Sequence, residues 1–302
     1  MKLQSRALLA CGLAAAAVAA GYFGYRSRSL SNAALLKRLP AADALVLYVD
    51  FDALRHGGVL QLFDGSKVGQ DPEYKSFVGS TGFNYARDLD LAMVAFAPTG
   101  RYVLLRGRFD WPKLRAYAKS QQGSCSGEVC QMAGSTPERR ISFLPLQSNV
   151  MAMGVSTDDF AAQRLASPAT GPAPQMPASP VWLSLPHSIL KAGEDLPEGT
   201  RMFAHSLDRA ESVTLGFEPE GQRLAAKLNV LCRNEQDATE IASQLARITT
   251  LLRELIQREH QAPNPADLSG VLTAGAFRAE GRRVYGYWPI ERKFVESILG
   301  GA

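Results

Sequence analysis

The chain has few of the residues from which active sites and metal centres are built. It holds four histidines and four cysteines among 302 residues. No histidine lies in the His-Glu-x-x-His motif of zinc proteases. The sequence also lacks the Gly-x-Ser-x-Gly elbow of hydrolases, the phosphate-binding Walker loop and the dinucleotide-binding glycine fingerprint. We therefore expect no cofactor, no metal and no catalysis.

The chain also has little excess charge of either sign. The formal net charge is +4, and such a mild excess does not by itself indicate a nucleic-acid-binding protein. One basic cluster is interleaved with aromatic residues, and it comprises Arg278, Arg282, Arg283, Tyr285, Tyr287 and Trp288. Such a cluster on a sheet can bind a polyanion. We expect no nucleic acid there and favour anionic lipid headgroups or envelope polymers as partners.

One long hydrophobic run is present, at the N-terminus. Residues 7–25 carry no charge and follow a basic start. The small residues at 17–19 fit a cleavable signal peptide, while the full run approaches the roughly 20 residues of a transmembrane helix. Aromatic residues followed by arginines at 22–28 favour a retained anchor. We predict a single-pass anchor in a bacterial inner membrane, with the bulk of the chain periplasmic; a cleaved signal or a buried helix is the alternative.

The rest of the chain indicates two related halves separated by a proline-rich stretch. Residues 167–180 hold five prolines, which is typical of a semi-rigid linker. FAPTG (96–100) and FEPEG (217–221) each lie between apolar runs, so both predict hairpin turns. The predicted organisation is 1–25 as transmembrane anchor or signal peptide, 26–38 as stalk or lead-in helix, 39–166 as first α+β domain, 167–180 as linker and 181–302 as second α+β domain.

Each half has the order strand, helix, hairpin, helix, hairpin, helix. Residues 275–299 align without a gap on 141–165, which matches Val284 to Val150. Asp110 and Asn234 predict helix N-caps. After Asn234, the apolar residues from Ala238 to Leu255 form one stripe of a long helix. We expect an α+β fold of two related domains. Each would be a mostly antiparallel sheet with helices on one face, in a βαββαββα order derived from a ferredoxin-like unit. Whether the two sheets join stays open.

Two cysteines are close enough in sequence to pair. Cys125 and Cys130 lie in SCSGEVC, where Ser126 and Gly127 predict a tight turn. In an oxidising compartment this arrangement favours a local disulfide, and the alternative is two free thiols. Cys-x4-Cys without a second ligand pair is a poor zinc site.

Asp50, Asp52 and His56 form the candidate site of a second interpretation, an exported enzyme with its site between the two halves. If both aspartates lay on a strand, the period of two would put their carboxylates on the same side. There they would raise one another's pKa or share a cation. The structural interpretation, two strand-end acids and a polar loop histidine, is favoured.

Three stretches carry a resemblance to known proteins: LPAADALVLYVDFDAL (39–54), FDWPKLRAYAKSQ (109–121) and NPADLSGVLTAGAFRAEGRR (264–283). They are similar to stretches of uncharacterised, exported or envelope-anchored bacterial proteins of unknown function, in which Leu-Pro-x-x-Asp opens an α+β module. The resemblance implies an envelope location and no activity. We therefore expect a non-catalytic, envelope-tethered protein that binds a partner protein or a cell-envelope component.

Overall fold

The structure, a computed structural model, describes residues 30–41, 43–60, 71–134, 136, 139–170, 176–186, 198–221, 223–259 and 262–300. The predicted anchor, residues 1–25, lies outside the described residues, as does the middle of the predicted linker, 171–175. Within the described ranges, no helix is both long and apolar enough to cross a membrane.

The fold is α+β, and its strands form one large antiparallel sheet. The strands are β1 Leu45–Asp50, β2 Leu89–Ala97, β3 Gly100–Gly107, β4 Ser124–Ser126, β5 Val129–Ala133, β6 Arg140–Gln147, β7 Val150–Ser156, β8 Val181–Leu185, β9 Ala210–Glu220, β10 Arg223–Cys232, β11 Ala276–Glu280 and β12 Arg283–Ile290. They follow one another in the order β11-β12-β10-β9-β8-β1-β2-β3-β7-β6-β5-β4.

The helices are α1 Asn32–Leu36, α2 Phe51–His56, α3 Pro72–Thr81, α4 Tyr85–Asp88, α5 Trp111–Ser120, α6 Glu198–His205, α7 Glu235–Arg258, α8 Leu268–Thr273 and α9 Arg292–Gly300, with a 3₁₀ helix at Ala161–Leu165. Local chemistry explains where the main ones begin. Asp110 accepts a hydrogen bond from the Lys113 amide at the start of α5, and Asn234 accepts one from the Asp237 amide at the start of α7. Both caps satisfy amides that a helix start leaves without a partner.

The two halves join through β1 and β8, which answers the question that the sequence left open. Tyr48 lies opposite Trp182 in this antiparallel pair. Their rings are stacked, with centroids 5.2 Å apart and planes 7° from parallel. Trp182 is 2% exposed and belongs to the core of the first half. We call the side of the sheet that carries Tyr48 and Trp182 the front face, and the opposite side the back face.

Counted outward from this junction, the two halves have the same strand order. The first half runs β1-β2-β3-β7-β6 and the second β8-β9-β10-β12-β11, with β4 and β5 added at the outer edge of the first. The expected ferredoxin-like order is wrong. In that split βαβ order another strand lies between the first and second strands, whereas here β1 pairs directly with β2.

The prediction of helices on one face holds in the second half and is wrong in the first. On the front face of the first half, α1 and the 3₁₀ helix cover one core. On its back face, Leu114 and Ala118 of α5 pack with Phe143 and Met151. Successive residues of these strands point to opposite faces and are apolar on both, so both faces need a cover. In the second half, α6 to α9 contribute to a single back-face core.

The predicted stalk is part of the fold over its described residues. Leu35 and Leu36 of α1, together with Leu39, are 0%, 3% and 2% exposed and lie in the first core. A solvated stalk would leave these leucines in water. Their burial is favourable by about 1.5 to 3 kcal/mol for each side chain, so the lead-in helix packs on the sheet.

One extra residue distinguishes the last hairpins of the two halves. Phe143 pairs with Met153, whereas its counterpart Phe277 pairs with Gly286, and β6–β7 has a bulge between Pro145 and Gln147. A shift of one residue reverses the face of every following side chain. Val150 is therefore buried in the front core and Val284 in the back core, so their gap-free alignment does not hold in space.

The turns at FAPTG and FEPEG also differ in register. The first hairpin closes between Ala97 and Gly100, which puts Pro98 in the turn. The second closes between Glu220 and Arg223, which puts Pro219 in the strand. Both sequences mark a hairpin, as predicted, but the second hairpin is two residues longer on each side.

We predict that Trp182→Ala lowers the free energy of unfolding by about 3 to 5 kcal/mol, because it removes a buried aromatic side chain at the junction. Urea denaturation of the full chain measures this loss. Trp111→Ala is the control: Trp111 is only half-buried, at the start of α5, and its loss should be smaller. Equal losses for the two variants would contradict the structural importance of the junction.

Candidate functional site

The front face of the second half forms a groove with a volume of about 840 Å³. No helix of the described ranges packs on this face, because α6 to α9 lie on the back. Its floor consists of front-face side chains of β9, β10, β12 and β11. The polar side chains that line it include Ser184, Thr214, Glu218, Lys227, Asn229, Arg278, Arg283, Tyr285 and Tyr287.

The groove occupies the position that the first core takes in the other half. One row of directly opposed residues crosses β1, β2, β3, β7 and β6 on the front face, and all its members are buried: Tyr48, Met93, Leu104, Ala152 and Leu144. The corresponding row crosses β8, β9, β10, β12 and β11: Ser184, Thr214, Asn229, Tyr285 and Arg278. The same place in the fold is apolar and covered in one half, and polar and solvent-accessible in the other.

Cations predominate among the charged groups of the groove. Lys227 is paired with Glu218. Arg278 bonds Glu280, with 2.8 Å between Nη1 and Oε2, and its guanidinium lies 4.6 Å from the centre of the Tyr285 ring. Arg283 donates to a neutral partner, the Asn229 amide oxygen, at 3.2 Å. Arg278 lies opposite Tyr285 on β11, Arg283 is two residues from Tyr285 on β12, and Lys227 lies opposite Tyr287 on β10.

A tyrosine, a carboxylate and an arginine meet at one end of the groove. The Tyr287 hydroxyl donates to Glu220, and Arg223 donates to both side chains, at 3.1 Å and 3.0 Å. The Tyr287 hydrogen bond, followed by the Arg223 guanidinium, lowers the pKa of Glu220. The same carboxylate raises the pKa of Tyr287. Tyr287 therefore stays a neutral donor at physiological pH, with its hydroxyl held at the rim.

The end of the predicted linker forms one wall of the groove. Residues 176–179 line it, and the Ser179 hydroxyl lies 3.5 Å from a Glu218 carboxylate oxygen. A Cβ on Gly216 would lie 2.5 Å from that hydroxyl. Only glycine allows the segment to approach the sheet this closely.

Asp50 and Asp52 do not share a strand face. The strand ends at Asp50, whose side chain caps α2 by accepting the Ala53 amide at 2.8 Å. Asp52 is already helical and pairs with Arg55 at 3.0 Å and with His56 at 3.5 Å. The same-side arrangement that the enzyme interpretation would need is therefore absent, because the chain turns into a helix after Asp50 and Asp50 caps it.

Asp50 and Asp52 do line a small cleft of about 320 Å³, together with Asp90 and Arg106, but His56 does not line it. Among the described residues, no group of three or more His, Cys, Asp or Glu side chains is arranged to hold a metal. The cleft thus brings together two of the three predicted residues, Asp50 and Asp52, and leaves His56 outside.

Cys125 and Cys130 form a disulfide between β4 and β5, where they lie directly opposite one another. Cys130 is fully buried against Phe143 and Met151. This cross-link lies at the edge of the first half, away from the groove. It links the two strands of the outer hairpin to each other, and the buried Cys130 packs that hairpin against the core.

Sequence reasoning found only part of the groove. It named Arg278, Arg283, Tyr285 and Tyr287, which line it, but grouped them with two residues that point elsewhere. Arg282 bonds Glu211 and the Cys232 carbonyl, and Trp288 is buried in the back core. Ser184, Thr214, Lys227 and Asn229 were missed, although alternation along β9 and β10 already separates the last three from their buried neighbours.

Comparison with solved structures gives a likeness to the crystal structure of TP0453. Crystal form I has a TM-score of 0.53 and 10% identity, and the match covers 91% of this chain and 98% of that chain. The chain shares the fold of TP0453. Crystal form III gives 0.48 at 12% identity, covering 88% and 98% of the two chains, and form IV gives 0.44 at 13%, covering 88% and 96%. No protein-family model and no curated protein matches the chain.

We predict that Asp50→Ala lowers the free energy of unfolding by about 1 kcal/mol, because α2 loses its cap, and that Asp50→Asn largely retains it. His56→Ala should change stability by less than about 0.5 kcal/mol, since the His56 side chain is 78% exposed. Urea denaturation of the three variants tests this. A larger loss for His56→Ala than for Asp50→Ala would contradict the capping role.

Proposed function

We propose that this protein is a non-catalytic, envelope-tethered binding protein, and that its groove holds a cell-envelope component. The N-terminal segment anchors the chain in a bacterial inner membrane, and the two domains face the periplasm. The first domain supports the sheet, and the second domain binds. The likeness to TP0453 supports the fold of the chain and gives no information about an activity.

One observation carries this proposal: the row of front-face residues that is apolar and buried in the first half is polar and solvent-accessible in the second half. Leu104 of the first half is fully buried, and Asn229, which takes its place in the second, is exposed. A sheet face without a helix is normally made polar throughout to remain soluble. This face instead combines half-buried aromatic rings with convergent cations and hydroxyl groups, the combination typical of ligand sites.

We expect photo-crosslinking to locate the ligand in the groove. A photoreactive amino acid at Asn229 should give a crosslinked adduct in envelope preparations from the native host. The matched control is Thr250, an exposed polar residue of α7 on the other side of the sheet, which should give none. Equal adduct yields at the two positions, or no adduct at either, would refute the groove as the binding site.

Intact mass tests the envelope location. Chain from the native host's membrane fraction, alkylated without prior reduction, should retain its N-terminal segment and carry no alkyl group on Cys125 or Cys130, because an oxidising compartment preserves their disulfide. Reduction before alkylation serves as the control and should add both groups. A full-length chain in the soluble fraction with all four cysteines alkylated would overturn the location.

A further inference from the structure

We propose that the ligand of the groove is an acidic glycan, a chain of sugars that carries carboxylate or phosphate groups. This inference rests on the proposed function, since it names the chemical class that the same groove takes. Three properties of the groove carry it: its charge, its row of neutral hydrogen-bonding groups, and the two half-buried tyrosine rings on β12.

The charge of the groove favours an anion. Its lining contains three cations, Lys227, Arg278 and Arg283, and one carboxylate, Glu218. Arg283 is the best placed for a ligand, because its hydrogen-bond partner is the uncharged Asn229 amide. An anion bound there displaces no ion pair, and it gains a charge-assisted hydrogen bond.

The neutral groups favour a ligand with many hydroxyls. Ser184, Thr214 and Asn229 follow one another across three strands, and each offers both a donor and an acceptor. The acyl chain of an anionic lipid would cover this row and offer it no hydrogen-bond partner. Each polar group that loses its water without a new partner costs free energy. A sugar ring instead presents hydroxyls along its edge.

The aromatic residues supply the apolar part of the surface. Tyr285 and Tyr287 alternate along β12, so both rings stand on the front face about 7 Å apart along the strand. A tyrosine combines an apolar ring with a polar tip, which complements the C–H face and hydroxyl edge of a sugar. The Arg278 guanidinium over the Tyr285 ring orders that ring beside the cations.

The wall on one side of the groove favours a single polymer chain as ligand and disfavours a flat membrane surface. Residues 176–179 line one side of the groove and Ser179 lies over Gly216; Thr214 on the same strand is only half-exposed. A bilayer surface does not enter such a groove, whereas one linear polymer does. The glycan therefore lies across β9, β10 and β12, with its acidic groups toward Arg283 and Lys227.

Isothermal titration of the full chain in neutral detergent with oligogalacturonate tests the proposal. We expect binding that weakens with added salt and weaker or no binding of the methyl-esterified, uncharged oligomer. Arg283→Ala and Tyr285→Ala should each lower the affinity about tenfold. Arg282→Ala is the matched control, because the neighbouring Arg282 bonds Glu211 outside the groove, and it should leave the affinity unchanged.

Soluble short-chain phosphatidylglycerol and poly-L-glutamate serve as competing anionic probes. Failure of oligogalacturonate to bind, equal binding of its uncharged form, an equal loss in Arg282→Ala, or tighter binding of either competing probe would overturn the glycan. Crosslinking at Asn229 separates this result from the wider proposal: an adduct there without glycan binding retains the groove as a site and removes only the ligand class.

Discussion

The pairing of β1 with β8 is the constraint on which the rest of this molecule depends. A half-sheet on its own would present an open edge at this strand, with a row of backbone groups ready to pair with another chain. Each half uses the other to cover that edge. The stacked Tyr48 and Trp182 rings then place a side chain of the second half inside the core of the first. The two cores are separate, yet the first is incomplete without the second half.

The bulge between Pro145 and Gln147 determines how the halves differ. It puts Ala152 and Gly154 on the front face, and a Cβ on Gly154 would lie 2.7 Å from Ala161 of the 3₁₀ helix. That helix therefore covers the front face of the first half. The second half has no bulge in the equivalent hairpin; Tyr285 and Tyr287 take the front positions, and α9 packs on the back instead. The additional residue thus reverses the faces of β7 relative to β12, so that the 3₁₀ helix covers the front face of one half and tyrosines occupy that face in the other.

Local signals of the fold could be predicted from the sequence, and long-range ones could not. Asn234 and Asp110 were identified as caps because capping involves only neighbouring residues. The apolar stripe of α7 was predicted to extend to Leu255, but the Leu255 side chain is 44% exposed. Periodicity shows which residues share a helix face and does not show where the packing partner of that face ends. The junction, the two covered faces and the reversed register of Val284 all depend on which strands meet, which no local pattern specifies.

The same distinction applies to the groove. Arg283 and Tyr285 were noticed because they lie close together in sequence, whereas Asn229 and Thr214 reach them only across strand pairs.

The three cations of the groove differ in how much free energy each gains by binding an anion. Lys227 and Arg278 are already paired with Glu218 and Glu280, and such exposed pairs are worth about 1 kcal/mol or less. These ion pairs hold the two cations in position, and a ligand that replaces the carboxylates loses little free energy by breaking the pairs. Among the described residues Arg283 pairs with no carboxylate, so an incoming anion gains most there. Its position on β12, two residues from Tyr285 and hydrogen-bonded to Asn229, determines where along the sheet a bound acid group lies.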